Sequence, residues 1–127
     1  MRRSLTREER LRSRGDIQRV FRRGRSYRCK GVSLKIVDNG LNRNRALVVP
    51  PRKSGTKARK NRLRRVGKEA YRHIKPELVP GHDLVFVVYP GAERLEDRIR
   101  QFREVLGQAG LLNDADDHSK AEVHVDG

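Results

Sequence analysis

The apolar positions of this chain alternate between two spacings, which predicts a mixture of strands and helices. In residues 31–38 (GVSLKIVD) aliphatic side chains alternate with polar ones, and the segment runs into an Asn-Gly turn. Residues 45–49 are a second predicted strand, ended by two prolines that cannot donate to a sheet ladder. The unbroken apolar run at residues 83–89 is typical of a central strand that is covered on both faces.

Three further segments have the three- and four-residue spacing of amphipathic helices. The first, at residues 16–23, stops at Gly24. The second follows Thr56, whose hydroxyl is a predicted N-cap, and the third is closed by Gly107 or Gly110. Their predicted core positions are, in chain order, Ile17, Val20 and Phe21, then Leu63, Val66, Ala70 and Ile74, then Leu95, Ile99, Phe102 and Leu106. The order of the elements predicts a small α+β or α/β sandwich with one sheet.

The second predicted helix carries more positive charge than its fold requires. Residues 52–72 hold ten Lys or Arg and a single acid, Glu69. A solvated helix face usually pairs opposite charges four residues apart, and such pairing is scarce here. A narrow apolar seam surrounded by cations is typical of a helix that packs on a core and faces phosphates. The leading hypothesis is therefore binding to nucleic acid.

The charge of the whole chain is uneven as well as strongly positive. Its 127 residues include 31 Lys and Arg and 16 Asp and Glu, for a formal net charge of +15. Residues 1–75 carry a net charge of +21, and residues 76–127 a net charge of −6. We divide the chain into a basic N-terminal arm at residues 1–14, an RNA-binding α/β domain at residues 15–112 and an acidic disordered tail at residues 113–127. The arm either contacts RNA or only aids solubility.

The remaining composition argues against several classes of protein. The single cysteine, Cys29, cannot form an internal disulfide, and no Cys and His lie at the spacing of metal ligands. No apolar run approaches the roughly 20 residues of a membrane span. We expect a cytoplasmic protein with no metal site, no organic cofactor, no membrane contact and no obligate protein partner. The five acids of residues 1–75 are scattered and no histidine has an evident partner base, so we predict no catalytic residue in the protein itself.

Three segments of the chain carry motifs. They are Leu11 with residues 15–24 (GDIQRVFRRG), then Arg52-Lys53 with residues 61–65 (NRLRR) and 69–72 (EAYR), and finally residues 81–87 (GHDLVFV). In that order they resemble the opening DFxxVFxxG pattern, the RNR signature helix and the DxxxxxR last strand of the bacterial ribonuclease P protein family. The resemblance spans about residues 5–112.

The resemblance implies a fold and a function. The fold is a two-layer α/β sandwich with a central mixed sheet of about four strands and three helices. Its signature helix joins parallel strands by a left-handed crossover, an exception to the right-handed rule. The function is to assist a large catalytic RNA in the endonucleolytic removal of the 5′ leader from precursor tRNA. The implied partners are that RNA, which binds most of the Mg²⁺, and the precursor tRNA.

The resemblance also implies two sets of binding residues. Contact with the RNA subunit is assigned to Arg52, Lys53, Lys60, Asn61, Arg62, Arg64, Arg65 and Lys68. Contact with the leader, in a cleft between the first helix and the sheet, is assigned to Ile17, Phe21 and Lys35. Plain core packing stays an alternative for Ile17 and Phe21, and for Tyr71 the alternatives are core packing and stacking on a base.

The chain departs from the family pattern at positions that affect binding and packing. Lys60 stands where Arg is usual, so a charge remains but a bidentate fork is lost. Ile17 and Lys35 stand where other members have aromatics, so we expect leader binding to depend more on phosphate attraction than on stacking. Gly67 replaces a large apolar residue in mid-helix, at a cost of roughly 0.5–1 kcal/mol relative to Ala. Closer packing of helix and sheet is one explanation for it.

Two other classes of function stay open at the level of the sequence. A ribosomal protein or a general RNA chaperone would share the size and the charge, but would not require Asn61-Arg62 in this helical context. An autonomous ribonuclease would need catalytic groups that the sequence does not reveal.

Overall fold

The computed structural model describes residues 5–91 and 94–113 of the chain. Within them the helices are α1 (Arg14–Arg23), α2 (Lys57–Ile74) and α3 (Leu95–Gln108), and the strands are β1 (Arg25–Cys29), β2 (Val32–Asp38), β3 (Arg45–Val49) and β4 (His82–Val88). The predicted α+β class, with three helices and a four-stranded mixed sheet, is confirmed. All but the first residue of the predicted tail at 113–127 lies outside the described residues.

The four strands form one sheet in the order β1-β2-β4-β3. β2 is antiparallel to both of its neighbours, and β3 is parallel to β4. Because β3 and β4 lie side by side and α2 connects them in sequence, α2 is the crossover of a βαβ unit. This agrees with the position that the resemblance implies for the signature helix. The left-handed sense of the crossover stays a prediction.

Helices cover the two faces of the sheet to different extents. On one face the main core joins α2 and α3 to the strands, with Phe86 stacked on Phe102 at 4.4 Å between ring centroids. On the other face, α1 and the segment before it cover only part of the sheet, through a smaller cluster of Leu11, Val20 and Val85. β4 contributes to both clusters, which confirms that its apolar run is a central strand. None of the helices in the described part of the chain has the length and apolar character needed to cross a membrane.

Strand β1 was not apparent from the hydrophobic pattern. Its sequence is Arg-Ser-Tyr-Arg-Cys, in which only Tyr27 and Cys29 pack against the main core, and it lies at the edge of the sheet, where it pairs with β2. The turn between the two strands is Lys30-Gly31, and Gly31 has a φ of +89°, a left-handed conformation that favours glycine. Two apolar positions are too few to predict a strand, so the turn and the partner strand also contribute to specifying the hairpin.

The apolar seam of α2 differs from the prediction at one position. The residues buried as predicted are Leu63, Ala70 and Ile74. Val66 is only partly buried, and the remaining contacts with the sheet and α3 come from Gly67 and Tyr71. Tyr71 is 2% exposed, and burial raises the pKa of its phenol. Of the two alternatives for Tyr71, the structure supports core packing.

Gly67 lies where α2 comes closest to the sheet. A Cβ at this position would be 2.6 Å from Val48 Cγ1 of β3 and 3.3 Å from Val88 Cγ1 of β4. Carbon atoms of real side chains do not approach so closely, so a larger residue would push the helix outward or displace the valines. Glycine thus permits the close packing of helix and sheet that its position in the sequence suggested.

Replacing Gly67 with Ala is expected to lower the free energy of unfolding by about 1–3 kcal/mol through overpacking, although Ala is the better helix former. The control is Gly107→Ala in α3, where the new Cβ would meet only Leu112 Cδ1, at an ordinary 3.6 Å. This second change should stabilise by about 0.5–1 kcal/mol. Urea denaturation of both variants measures the two effects, and a stabilised Gly67→Ala variant would contradict the packing argument.

Candidate nucleic-acid interface

The start of α2 is built to keep positive charge exposed. Thr56 is the N-cap, as predicted, and its Oγ1 accepts a hydrogen bond from the Arg59 amide at 3.1 Å. The first turn contains no acidic side chain, so the positive end of the helix dipole is not neutralised by its own residues. The dipole therefore adds to the field of the lysines and arginines that follow.

The predicted contacts with the RNA subunit lie on α2 and on the loop before it. Those exposed to solvent are Arg52, Lys53, Asn61, Arg62, Arg65 and Lys68, and those partly buried are Lys60 and Arg64. Asn61 Oδ1 accepts a hydrogen bond from Arg64 Nη1 at 3.0 Å. The asparagine of the signature thus orients a neighbouring guanidinium, which lowers the entropy that this group loses on binding.

A groove of about 620 Å³ runs between α2 and the N-terminal segment, over the edge strand β3. Its floor is apolar and is formed by Ala46, Leu47 and Val48. Its two walls carry six cations, namely Arg10, Arg12, Arg64, Arg65, Lys68 and Arg72. Among the lining residues that the structure describes, Glu69 is the only acid, and it is paired with Arg72 at 2.6 Å. An apolar floor between cationic walls suits a nucleotide, which has a flat base and a charged phosphate.

The N-terminal wall of this groove is docked on the domain, which the sequence did not reveal. Leu11 is 1% exposed, and its amide donates to the carbonyl oxygen of Ala46 at 3.0 Å. Arg43 Nε donates to the carbonyl oxygen of Glu8 at 2.9 Å. Part of the predicted basic arm, from Leu5 onward, therefore belongs structurally to the domain and extends the sheet at its β3 edge.

An ion pair between Glu9 and Lys75 fastens the same segment to the end of α2. The Lys75 Nζ atom lies 3.0 Å from Glu9 Oε1, which also accepts from the Thr6 amide at 2.9 Å. Partial burial acts to raise the pKa of Glu9, but these hydrogen bonds and the nearby ammonium outweigh it and lower the pKa. The contact is therefore present near neutral pH and is lost as the pH falls through this lowered pKa.

The three residues predicted to contact the leader lie on the opposite face of the sheet. Ile17 packs against the small cluster that holds α1, whereas Phe21 is 48% exposed. Lys35 lies directly across from Val85, a member of that cluster, and its Nζ donates to Ser26 Oγ at 2.8 Å. The structure therefore supports core packing for Ile17 but not for Phe21, whose ring is available to a ligand.

The ribonuclease P family model matches residues 5–109 of this chain. The chain belongs to the ribonuclease P protein family. A curated ribonuclease P protein component from Clostridium botulinum (strain Loch Maree) is 35% identical over 109 residues, which cover 84% of this chain and 98% of that protein. Another, from Herpetosiphon aurantiacus, is 31% identical over 122 residues, which cover 94% and 99%. These matches support the role of a ribonuclease P protein component and do not favour the generic RNA-binding alternative.

Solved ribonuclease P proteins also share the fold. The protein from Thermotoga maritima is 29% identical, with a TM-score of 0.63, and the superposition covers 80% of this chain and 94% of that one. A mutant protein from Staphylococcus aureus gives a TM-score of 0.74 at 18% identity, over 83% and 91% of the two chains. At that low identity the second comparison is evidence for the fold alone.

Two histidines of this ribonuclease P protein have carboxylate neighbours. His82 Nε2 lies 3.4 Å from Asp38 Oδ1, and His73 Nε2 lies 3.9 Å from Glu69 Oε2. The expectation that no histidine has an evident partner base was wrong for these two, because folding brings Asp38 beside His82 and Glu69 lies one turn before His73 on α2. His118 and His124 lie outside the described residues. Within residues 5–91 and 94–113, no three His, Cys, Asp or Glu side chains are grouped as a metal site. That the protein has no catalytic residue of its own stays a prediction.

A buried carboxylate holds α1 on the sheet through partners that come from other elements of the fold. Asp83 is fully buried and accepts two hydrogen bonds from Arg45, at 2.8 and 2.7 Å, and one from Asn39 at 2.9 Å. Arg19 of α1 approaches the same carboxylate to 3.8 Å. Arg45 also lies 3.3 Å from Asp16 of α1, and the hydrogen bond with Asp83 raises the pKa of Arg45. This network fixes the helix that carries Phe21.

Replacing Asp83 with Ala is expected to destabilise the protein by about 3–5 kcal/mol, because Arg45 and Arg19 would face each other without a buried counter-charge. The control is Asp38→Ala, which removes a carboxylate that is 79% exposed and should change the free energy of unfolding by no more than about 0.5 kcal/mol. Urea denaturation at neutral pH measures both variants. If Asp83→Ala lowered the free energy of unfolding as little as Asp38→Ala does, the network would not be what holds α1.

Proposed function

We propose that this chain binds the catalytic RNA of ribonuclease P and the 5′ leader of precursor tRNA, and so assists removal of the leader. The observation that carries the proposal is the cationic outer surface of α2, with the signature residues Asn61 and Arg62 exposed on a helix that is rigidly packed. Chemistry is assigned to the RNA, and the protein alone is expected to be inactive. The cytoplasm is the expected compartment.

Contact with the RNA subunit is proposed for the α2 surface and the groove beside it. Guanidinium groups bind phosphate oxygens in a bidentate way, and each neutralised phosphate releases counterions, which makes binding favourable and dependent on salt. Lys60 contributes charge without a fork, and its contact is expected to be weaker than that of Arg62. The groove between α2 and the N-terminal segment adds an apolar floor on which an unpaired base can lie.

Contact with the leader is proposed for the face of the sheet beside α1. The exposed ring of Phe21 provides a stacking surface and Lys35 provides charge. Ile17 packs against the small cluster that holds α1 on the sheet. The two proposed binding surfaces lie on different sides of the molecule, since α2 and α1 pack on opposite faces of the sheet. One small protein can therefore touch the catalytic RNA and the leader at the same time.

Mg²⁺ is proposed to be held mainly by the RNA partner. Magnesium is a hard cation that prefers oxygen ligands and usually keeps several waters, and RNA phosphates provide such ligands. The catalytic RNA and its substrate are both polyanions, which repel each other and attract the ion. Cations of the protein placed between them would lower the Mg²⁺ concentration that the reaction requires.

The proposal predicts cleavage of a precursor tRNA at low Mg²⁺ only when a bacterial ribonuclease P RNA and this protein are both present. Leader release is followed on a denaturing gel, with the RNA alone and the protein alone as controls. Cleavage by the protein alone would contradict the assignment of chemistry to the RNA and would direct attention to the pair of His82 and Asp38. No stimulation of the RNA would favour a generic RNA binder.

Combined replacement of Arg62 and Arg65 with Ala is expected to weaken binding to the RNA subunit at least tenfold and to reduce the salt slope by about 1.5–2. The matched control is Arg100→Ala with Arg103→Ala, which removes the same charge from α3, where both arginines pair with carboxylates. Binding is titrated against the RNA subunit and an unrelated RNA of equal length. Equal weakening toward both RNAs would contradict selective recognition through α2.

A further inference from the structure

Tyr89 is one of three large hydrophobic side chains exposed among the described residues, with Phe21 and Val79 as the others. It follows β4 directly, and the exposed fraction of its side chain is 40%. The Tyr89 hydroxyl lies 3.3 Å from Ser33 Oγ of β2. Ser33 of β2 pairs with Val87 of β4. Two residues along each strand, on the same face of the sheet, Lys35 and Val85 lie beside α1. The Tyr89 ring therefore lies on the same face of the sheet as α1.

The backbone of Tyr89 is held from both sides. Its amide donates to the carbonyl oxygen of Gly31 at 2.9 Å, which extends the ladder between β2 and β4 by one residue. Its own carbonyl oxygen accepts from Arg98 Nη2 at 2.7 Å, and Arg98 Nη1 donates to Gly31 at 2.9 Å. Arg98 is fully buried, so this attachment is part of the core. An aromatic side chain on so rigid a support loses little conformational entropy when a ligand stacks on it.

The surface beside Tyr89 is polar and positively charged. A depression of about 320 Å³ is lined on this face by Ser26, Arg28, Ser33 and Lys35 of the β1–β2 hairpin. Within residues 5–91 and 94–113, its lining includes two cations and no acid, and Ser33 is the residue that meets the Tyr89 hydroxyl. A ring next to two cations offers one surface to a base and two charges to the adjoining phosphates.

Tyr89 and Phe21 are held at different places on this face of the sheet. Val20, the neighbour of Phe21, packs in one cluster with Val85, and Tyr89 lies four residues further along the β4 direction. At roughly 3.3 Å per residue, the Cα atoms of Val85 and Tyr89 lie about 13 Å apart along the strand. A single strand that crosses the sheet from α1 toward the β1–β2 hairpin would therefore meet the two rings with different nucleotides.

We propose that Tyr89 is a second base-stacking platform for the single-stranded leader, and that Arg28 and Lys35 bind the phosphates beside it. The proposal rests on the proposed function of this face in leader binding. It gives the chain an aromatic contact in a cleft where Ile17 and Lys35 occupy positions at which other family members have aromatics. Tyr89 then determines affinity for nucleotides further from Phe21.

The test measures equilibrium binding of precursor tRNAs by the complex of this protein with a bacterial ribonuclease P RNA. The leaders increase in length one nucleotide at a time, and cleavage is kept slow. Tyr89→Ala removes the ring, Tyr89→Leu keeps apolar bulk without a π face, and Tyr89→Phe keeps the ring without the hydroxyl. Val79→Ala is the control for loss of an exposed hydrophobic side chain elsewhere.

The expected result is a loss of about fivefold or more in affinity for Tyr89→Ala and Tyr89→Leu, seen only with leaders long enough to reach the ring. Tyr89→Phe and Val79→Ala should bind like the unmodified protein. An abasic nucleotide at one leader position should abolish the effect of Tyr89→Ala, and an abasic nucleotide at a different position should abolish that of Phe21→Ala.

Three results would overturn the proposal, and they are distinguishable. If the unmodified complex binds short and long leaders equally, the proposed function of this face fails and the role of Tyr89 fails with it. If longer leaders bind more tightly but Tyr89→Ala matches the unmodified protein at every length, only the role of Tyr89 fails. A loss for Tyr89→Phe as large as for Tyr89→Ala would also overturn it, because the hydroxyl rather than the ring would be responsible.

Discussion

Helix α2 has to meet two opposing requirements, and the rest of the structure depends on how it does so. It must bury enough apolar surface to stay on the sheet, yet it carries cations around most of its circumference, which must remain in water. Only a narrow seam is left for packing. Gly67 resolves this conflict, because it allows the helix backbone to approach Val48 and Val88 directly. Close approach replaces the dispersion contacts that larger seam residues would have made.

Three of the five carboxylates of the first 75 residues are placed where they support the fold. Asp16 assists Arg45, Glu9 pairs with Lys75 at the end of α2, and Glu69 pairs with Arg72 inside the groove. Each of these acids neutralises a cation close to the packed parts of the domain. The cations of the outer surface of α2 lie close together on one helix, and their mutual repulsion costs stability. A polyanionic partner would relieve this repulsion and stabilise the folded chain by mass action.

The sequence was sufficient for structure that is set by local patterns. The three helices and the strands β2, β3 and β4 were predicted to within two residues, because their apolar spacing is a property of each segment alone. The α2 part of the candidate site was equally accessible, since residues on one helix keep fixed relative positions. Strand β1 was not predicted, because its two apolar positions, Tyr27 and Cys29, are too short an alternation to indicate a strand. The docked N-terminal segment was missed for a different reason, namely that its partner, Ala46, is distant in sequence.

The two buried polar groups that the sequence did not reveal each fix one of the two exposed aromatic rings beside the open face of the sheet. Asp83 resembled the boundary of a strand, and Arg98 resembled an ordinary polar position on α3, because their partners come from other elements. In the fold, Asp83 joins Arg45 and Arg19 and thereby holds α1, which carries Phe21. Arg98 holds the carbonyl oxygens of Gly31 and Tyr89 and thereby fixes the end of β4. A buried charge is costly unless its hydrogen bonds are made, so each network selects a single arrangement of the backbone around it. The stability of the core and the position of the proposed leader contacts therefore depend on the same two side chains.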